Sequence, residues 1–342
     1  MRTRCFSTVG AMILAVGLLA LTPAFAQDTG GNWTAPRTVH GQPDLQGVWA
    51  NNNATPLQRP EVLGDRQYLT NEELAALQLR ADELFSQDSG DAAFGDSVFA
   101  AALAEAETFT SRDSGTGNYN HFWLVERDWN NRTSLIVDPP NGRLPSTTDE
   151  GQARLDARRD RRGRHARWTD DRSLGERCVS FGTPRLGAGY NSYYQIFQSE
   201  THVVMLMEMA HDARIIPLDG SPHIDEDIRL WLGDSRGHWE GDTLVVETRN
   251  YSPKSYFMGA ADNLQITERF TRVAEDVLEY EVAVNDPSTW TESWEVMIPL
   301  RQSEDAVYEY ACHEGNIGME GILSGARALE KAEAETQTGG SR

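Results

Sequence analysis

The chain has 342 residues, and its 52 Asp and Glu against 31 Lys and Arg give a formal net charge of −21 at pH 7. This length allows one large domain or two small ones with a substantial core. So acidic a chain argues against nucleic acid or an anionic membrane as its partner, and disfavours a polyanionic substrate unless a local basic pocket overrides the net charge.

Residues 1–26 have the three parts of a secretory signal peptide. Arg2 and Arg4 are basic, residues 9–21 are apolar, and the small residues Ala24 and Ala26 occupy the positions that a signal peptidase reads. The apolar stretch is shorter than the roughly 20 residues of a membrane span. We therefore expect cleavage after Ala26 and a mature protein in the periplasm or outside the cell, with an uncleaved anchor helix as the alternative.

Two cysteines, Cys178 and Cys312, lie beyond the predicted cleavage site. An even number of cysteines in an oxidising compartment favours a disulfide. The alternative is a nucleophilic cysteine.

The first half of the mature chain mixes loops, helices and a few strands. Residues 27–43 are an extended lead-in, and 44–49 form a first strand. A capping box of Thr70 and Glu73 begins a helix, and an Ala-rich helix follows at 96–108. Residues 110–120 are a loop. Together these predict a helical insertion at about 70–110.

A hairpin with strands 121–127 and 132–138 is predicted next. A second capping box, Thr147 with Glu150, begins an Arg-rich helix, so a second insertion covers about 147–168. We interpret its arginines as a solvated, charged face.

From Tyr193 onward the pattern predicts regularly spaced strands joined by short turns, a last helix over about 319–332 and a disordered tail at 333–342. The predicted strands are residues 193–198, 202–209, 213–218, 243–249, 264–271, 277–285, 293–300 and 307–312. Such spacing is typical of an antiparallel sandwich or barrel. We therefore predict one mainly β domain over 44–332, antiparallel and barrel-like, with helical insertions.

Several segments between about residues 40 and 327 resemble a family of secreted bacterial proteins. They include Pro-Asp-Leu-Gln-Gly-Val-Trp at 43–49 and Trp-Leu-Gly-Asp-Ser-Arg-Gly-His-Trp-Glu-Gly-Asp at 231–242. This resemblance supplies no catalytic assignment. Gly47-Val48-Trp49 is also similar to the lipocalin Gly-x-Trp element, whose Trp closes the base of the barrel, whereas the long helical insertion departs from a simple eight-stranded lipocalin.

The densest group of polar residues follows an apolar predicted strand. It contains Glu208, His211, Asp212 and Arg214. A histidine side chain suits general acid–base work near neutral pH. Asp212 could orient His211, and Arg214 could hold an anionic group. The alternative is a turn with a surface ion pair.

A second group, Asp234, Arg236 and His238, lies at alternate positions and therefore shares one face if the segment is extended. Its alternative is ordinary hairpin chemistry around Glu240-Gly-Asp242.

A third candidate group is aromatic: Tyr190, Tyr193 and Tyr194 follow closely after Arg172, Glu176 and Arg177. Tyr193 and Tyr194 point to opposite faces of a strand, so only one can enter a cavity; we take Tyr194, with Arg177 as a substrate-binding cation. Buried tyrosines serve more often in packing.

No H-E-x-x-H, C-x-x-C, P-loop or dinucleotide motif occurs, so the sequence predicts neither a metal nor a cofactor. We expect a secreted or periplasmic enzyme that acts on a small, partly apolar or aromatic molecule by lyase, hydratase or isomerase chemistry. Its catalytic candidates are His211, Asp212, Tyr194 and His238; its substrate-binding candidates are Arg214, Glu208, Arg236, Asp234 and Arg177. Two alternatives are a non-catalytic, lipocalin-like binding protein and a carbohydrate-active protein. The sequence leaves the oligomeric state open.

Overall fold

The structure, a computed structural model, describes residues 33–85, 92–104, 109, 124–163, 165–255, 257–260 and 262–339. Within these residues, ten strands form one antiparallel sheet: β1 (Gly47–Ala50), β2 (Ile136–Asp138), β3 (Tyr193–Gln198), β4 (His202–Met207), β5 (Ala213–Pro217), β6 (Asp234–Glu240), β7 (Thr243–Arg249), β8 (Gln265–Arg272), β9 (Val277–Asn285) and β10 (Trp294–Ser303). The helices are α1 (Asn71–Phe85), α2 (Ser97–Leu103), α3 (Asp149–Gly163) and α4 (Ile317–Gly339). The chain divides into two units at Trp33, and all these elements belong to the second, Thr34–Arg342.

The sheet curls into a nearly closed barrel. Its order is β5-β4-β3-β1-β10-β9-β8-β7-β6, with β2 paired to β10. The two edge strands, β5 and β6, meet through side chains. A Cβ atom on Gly237 would lie 2.7 Å from Leu218 and 2.9 Å from Ile216, so a larger residue at this position would force these side chains to shift. The predicted mainly β, antiparallel, barrel-like fold with helical insertions is confirmed.

Alternation along each strand fills the barrel. On β9, Leu278, Tyr280, Val282 and Val284 are buried and alternate with less buried residues. Trp49 is fully buried, donates its indole N–H to the backbone oxygen of Leu45 at 2.8 Å and lies under the Arg272 guanidinium, 5.3 Å from the ring centroid. Burying each large apolar side chain stabilises the fold by about 1.5–3 kcal/mol.

The helices lie outside this core. α1 and α2 share their own apolar cluster, with Leu77, Phe85 and Phe99 buried in it. The predicted capping box of α1 is present: the backbone N–H of Thr70 donates to Glu73 at 2.9 Å, and that of Glu73 donates to the Thr70 hydroxyl at 3.2 Å. In α3 the cap differs, because the hydroxyl of Thr148, rather than Thr147, accepts from the backbone of Gly151.

The structure differs from the predicted elements at three places. The described part of the 121–127 strand is irregular, and β2 pairs with β10 because β10 offers it a free edge. Residues 307–312 form no strand, since a histidine side chain and a disulfide hold them instead. Asp234–Glu240 is an additional strand, β6.

The C-terminal helix is longer than predicted. It continues to Gly339, so residues 333–339, which were expected to be disordered, are helical. Ala and Glu are good helix formers, and Lys331 lies 4.0 Å from Glu335 one turn later. The predicted signal peptide and the predicted loop at 110–120 lie outside the described residues. Within the described part, no helix is both long and apolar enough to cross a membrane.

Candidate functional site

The turn between β4 and β5 has an unusual backbone. Ala210 and His211 have φ angles of +62° and +52°, in the left-handed region that residues with a side chain rarely adopt. Such a conformation costs roughly 1–2 kcal/mol per residue. The backbone N–H of Met207 donates to the backbone carbonyl oxygen of Asp212 at 2.9 Å, and that of Glu208 donates to the backbone carbonyl oxygen of Tyr193 at 3.0 Å. The turn therefore fixes where Glu208, His211 and Asp212 point.

His211 holds the segment that precedes α4. Its Nε2 atom lies 3.0 Å from the backbone oxygen of Tyr308 and 3.0 Å from the amide nitrogen of Tyr310. This explains why residues 307–312 bind no neighbouring strand. His211 is thus a positioning residue for one wall of the site.

Asp212 holds a second segment. Its carboxylate accepts from the Ser180 hydroxyl at 2.9 Å and from the backbone N–H of Phe181 at 3.1 Å. Burial raises the pKa of Asp212, and these hydrogen bonds oppose that rise. The imidazole of His211 bonds elsewhere, so the predicted His–Asp pair is replaced by two separate contacts to neighbouring loops.

The predicted disulfide between Cys178 and Cys312 is present, with Cα atoms 5.6 Å apart. It joins the two segments that Asp212 and His211 hold. Asn316 reinforces the link by donating to the Glu176 oxygen at 3.0 Å. The β4–β5 turn, the 175–182 loop and the 308–316 segment therefore form one cross-linked unit.

Glu208 lines a cavity of about 220 Å³ beside this unit. The residue is only 5% exposed, and its Oε2 atom makes no hydrogen bond within the part of the chain that the structure describes. Three tyrosines share the lining: Tyr190, Tyr193 and Tyr308. The cavity therefore combines aromatic walls with one carboxyl group that retains an unused oxygen.

The cavity changes the acid–base properties of the Glu208 carboxyl. Burial raises the pKa of Glu208, and the Tyr308 backbone, the Asn191 side chain and the charges of His211 and Arg185 act in the opposite direction. Burial also raises the pKa of the Tyr193 hydroxyl. A carboxyl group that lines a cavity and has a raised pKa is suited to general acid–base catalysis.

Arg214 lies inside the barrel, away from this cavity. Its guanidinium donates to both oxygens of Glu268, at 2.9 and 2.5 Å, and to the hydroxyls of Ser235 and Thr248, both at 3.1 Å. The Tyr280 hydroxyl donates to Glu268 at 2.6 Å. The nearby Glu268 carboxylate outweighs the burial of Arg214 and keeps its pKa raised. This buried ion pair ties β5 to β6, β7 and β8 across the open seam of the barrel, through the two terminal nitrogens of Arg214.

Tyr194 also belongs to the barrel interior. It is buried, packs edge-to-face on Tyr280 and donates its hydroxyl to the backbone oxygen of Arg185 at 2.5 Å. The predicted alternation is correct, but the tyrosine that lines the cavity is Tyr193 rather than Tyr194.

The second predicted group holds a surface loop. Asp234 accepts from Arg236 at 2.8 Å and contacts His223 at 2.7 Å, and Arg236 donates to the backbone of Pro222. His238 is exposed and contacts Glu240 at 3.2 Å. These residues lie apart from Glu208.

Of the remaining candidates, Arg177 lies 3.3 Å from Asp170 and lines a separate cavity. Among the described residues, no cluster of three or more His, Cys, Asp or Glu is arranged to hold a metal ion. The sequence singled out Glu208 and, as a separate aromatic group, Tyr190 and Tyr193, but it did not place these tyrosines or Tyr308 beside Glu208. The available signal was the position of Tyr193 on the outward face of β3.

Comparison of the chain with family models and with curated proteins gives no match. Among solved structures the chain is similar to a secretary abundant heat soluble (SAHS) protein from Ramazzottius varieornatus. The two share 14% sequence identity with a TM-score of 0.23, over 32% of this chain and 70% of that chain. A likeness this distant carries no argument, so the function proposed below is argued from the geometry of the site.

Proposed function

We propose that the protein is an exported enzyme that performs acid–base chemistry, of lyase, hydratase or isomerase type, on a small and partly apolar or aromatic molecule. The observation that carries this proposal is the Glu208 carboxyl, whose Oε2 atom is buried without a hydrogen-bond partner among the described residues, on the wall of a 220 Å³ cavity. Buried polar atoms are nearly always satisfied, so an unsatisfied one beside a cavity suggests a ligand group.

Glu208 is the group that would exchange a proton with the substrate. Burial raises the pKa of its carboxyl above the ordinary value, which is the direction that suits a general acid–base group. Tyr190 and Tyr193 would pack against the apolar part of the substrate. His211 would act indirectly, by holding the Tyr308 wall in place.

Export is supported by the signal-like N-terminus and by the Cys178–Cys312 disulfide, a bond that persists in oxidising compartments.

A non-catalytic binding protein is the second candidate, because the tyrosine-rich lining would hold an apolar ligand without chemistry. Sugar chemistry would instead require two carboxylates about 5–10 Å apart. The described lining does hold two acids, Glu208 and Asp305. Its aromatic residues are tyrosines rather than the stacked tryptophans expected of a sugar site, so this function is not favoured.

The test uses the mature chain in D₂O with a panel of small aromatic and aliphatic hydroxy acids, enols and ketones, followed by NMR. Saturation transfer reports binding, and deuterium incorporation into a bound compound reports proton exchange. We expect exchange with the wild type and a loss of about 10²-fold or more in Glu208→Gln, because general acid–base groups contribute about 10²–10⁴-fold.

The matched control is Glu309→Gln, which removes an exposed carboxyl next to the cavity wall and should leave exchange unchanged. Binding without exchange, equal in the wild type and Glu208→Gln, would establish the carrier instead. If no compound of the panel binds, both candidate functions fail.

A further inference from the structure

A second cavity, of about 350 Å³, lies between α3 and two loops. Four arginines of α3 line it: Arg154, Arg158, Arg161 and Arg162. Arg172, Arg177 and Lys254 come from the two loops, and the acidic lining residues are Asp170 and Asp171. The described lining residues therefore carry a net charge of about +5, in a chain whose net charge is −21.

The helix presents its arginines in a regular pattern. Positions 154, 158, 161 and 162 are separated by four, three and one residues, which places them on one face of an α-helix. Arg159 lies off this face, is 75% exposed and pairs with Asp156. The charged face predicted from the sequence is thus divided, with one side lining a cavity and the other facing solvent.

Arg154, one of the lining residues, is held in place by several contacts. It contacts Glu150 at 2.5 Å and donates to the Gly259 oxygen at 3.2 Å and the Thr289 hydroxyl at 2.7 Å. These contacts tie α3 to the barrel, so the arginine face keeps its orientation.

The positive charge is only partly neutralised by the protein. Arg172 pairs with Glu176, and Arg177 lies 3.3 Å from Asp170. Within the described residues, Arg162 and Lys254 have no ion-pair partner. Like charges one helical turn apart repel one another, so the arrangement favours an anion from outside the chain.

We propose that this cavity binds a small tetrahedral oxyanion, a phosphate or sulfate group that is either free or carried by a small organic ester. Guanidinium groups donate two parallel hydrogen bonds to such oxyanions and are the preferred side chains for them. A long polyanion is disfavoured, because the negative charge of the remaining surface would repel its overhanging parts. The site is separate from the Glu208 cavity and stands independently of the function proposed above.

The experiment is isothermal titration calorimetry of the full mature chain with inorganic phosphate, phenyl phosphate and sulfate, in chloride buffer at constant ionic strength. Phosphate or its ester should bind, and its affinity should be lower when the whole series is repeated at a higher constant ionic strength. In the double variant Arg161→Gln/Arg162→Gln, affinity should fall about 10- to 100-fold or more, as expected for lost hydrogen bonds to a charged group. Lys254→Gln tests the opposite wall with a change that leaves α3 intact.

The matched control is Arg159→Gln, which removes the same charge from the same helix outside the cavity and should change affinity less than about twofold, since exposed charges interact weakly in salt. Tighter binding of phenyl phosphate than of inorganic phosphate would identify an organic ester as the ligand class; equal binding would identify the free anion. The proposal is overturned if no oxyanion binds more tightly than chloride, or if Arg159→Gln weakens binding as much as the double variant.

Discussion

Two buried glutamates in the same barrel have opposite surroundings. Glu268, 1% exposed, receives hydrogen bonds from both terminal nitrogens of Arg214 and from the Tyr280 hydroxyl. Glu208, 5% exposed, has an oxygen with no hydrogen bond among the described residues and lies against a cavity. A saturated buried carboxylate fixes structure, whereas an unsaturated one retains the capacity to bind or exchange a proton. The distinction depends on partners from distant strands, and it predicts different consequences of mutation.

The largest effect should come from breaking the Glu268 pair. Glu268→Gln leaves Arg214 charged and buried without its carboxylate, and we expect a loss of about 3–5 kcal/mol in the free energy of unfolding, measured in urea. Glu281→Gln, a half-buried glutamate on the neighbouring strand that lies 3.8 Å from Arg269, should cost under about 1 kcal/mol. Equal losses in the two variants would mean that Arg214 and Glu268 are not coupled.

The double variant Arg214→Met/Glu268→Leu sharpens this prediction. Replacing a buried ion pair with apolar side chains is often neutral or stabilising by about 1–4 kcal/mol. We therefore expect much of the stability lost in Glu268→Gln to return. If the double variant is as unstable as the single one, the Ser235 and Thr248 hydrogen bonds across the seam contribute more than the ion pair does.

Removal of the disulfide should have the next largest effect, and it should act on the Glu208 side of the molecule. Cys178 and Cys312 are separated by 134 residues, and a cross-link of this kind typically stabilises by about 2–4 kcal/mol. Cys178→Ser/Cys312→Ser should lower the midpoint of urea unfolding, and amide hydrogen exchange should quicken at 308–316 more than in β8 and β9. Uniform acceleration across the barrel would contradict this local role.

Asp212 should be worth less, because it holds only one loop. Asp212→Ala removes the acceptor of the Ser180 hydroxyl and the Phe181 N–H, and should cost about 1.5–3 kcal/mol in thermal or urea unfolding. Asp212→Asn keeps an acceptor oxygen and should retain most of the stability and all of the proton exchange. Loss of exchange in the stable Asp212→Asn variant would restore a direct catalytic role for Asp212.

Much of the barrel could be predicted from alternation alone. On β9, buried and half-buried residues alternate, and the predicted bounds, 277–285, match the strand. The same kind of pattern at 307–312 gave a wrong prediction, because the backbone oxygen of Tyr308 and the backbone nitrogen of Tyr310 contact the His211 side chain instead of a strand. Alternation reports which residues share a face, but it cannot report whether a neighbouring strand edge is available.

The candidate site was predictable only in part. Glu208, His211 and Asp212 are close in sequence, which identified the β4–β5 turn, but their partners Ser180, Tyr190 and Tyr308 come from other segments. The arginines of α3 were recognised as a charged helix face, yet the cavity beside them also depends on loop residues such as Arg172, Arg177 and Lys254. Contacts between distant segments carry no local sequence signal, which is why these parts were missed.

The smallest effect, and the sharpest test of the comparison, is the pH dependence of Glu208→Gln. Because burial raises the folded-state pKa of Glu208 above its ordinary value of 4.5, the protonated carboxyl contributes stability that is fully present below pH 4.5 and is lost as the pH rises through the folded pKa. The glutamine variant should therefore gain stability relative to the wild type between pH 4 and pH 8, by about 1 kcal/mol, the order of the cost of an unsatisfied buried group.

Other carboxyls with raised pKa values, such as Asp96 and Glu295, are present in both proteins and cancel in the difference. Glu309→Gln should show no such trend. If the wild type instead became more stable than Glu208→Gln with rising pH, Glu208 would be a stabilised carboxylate like Glu268, and the contrast between the two glutamates would be lost.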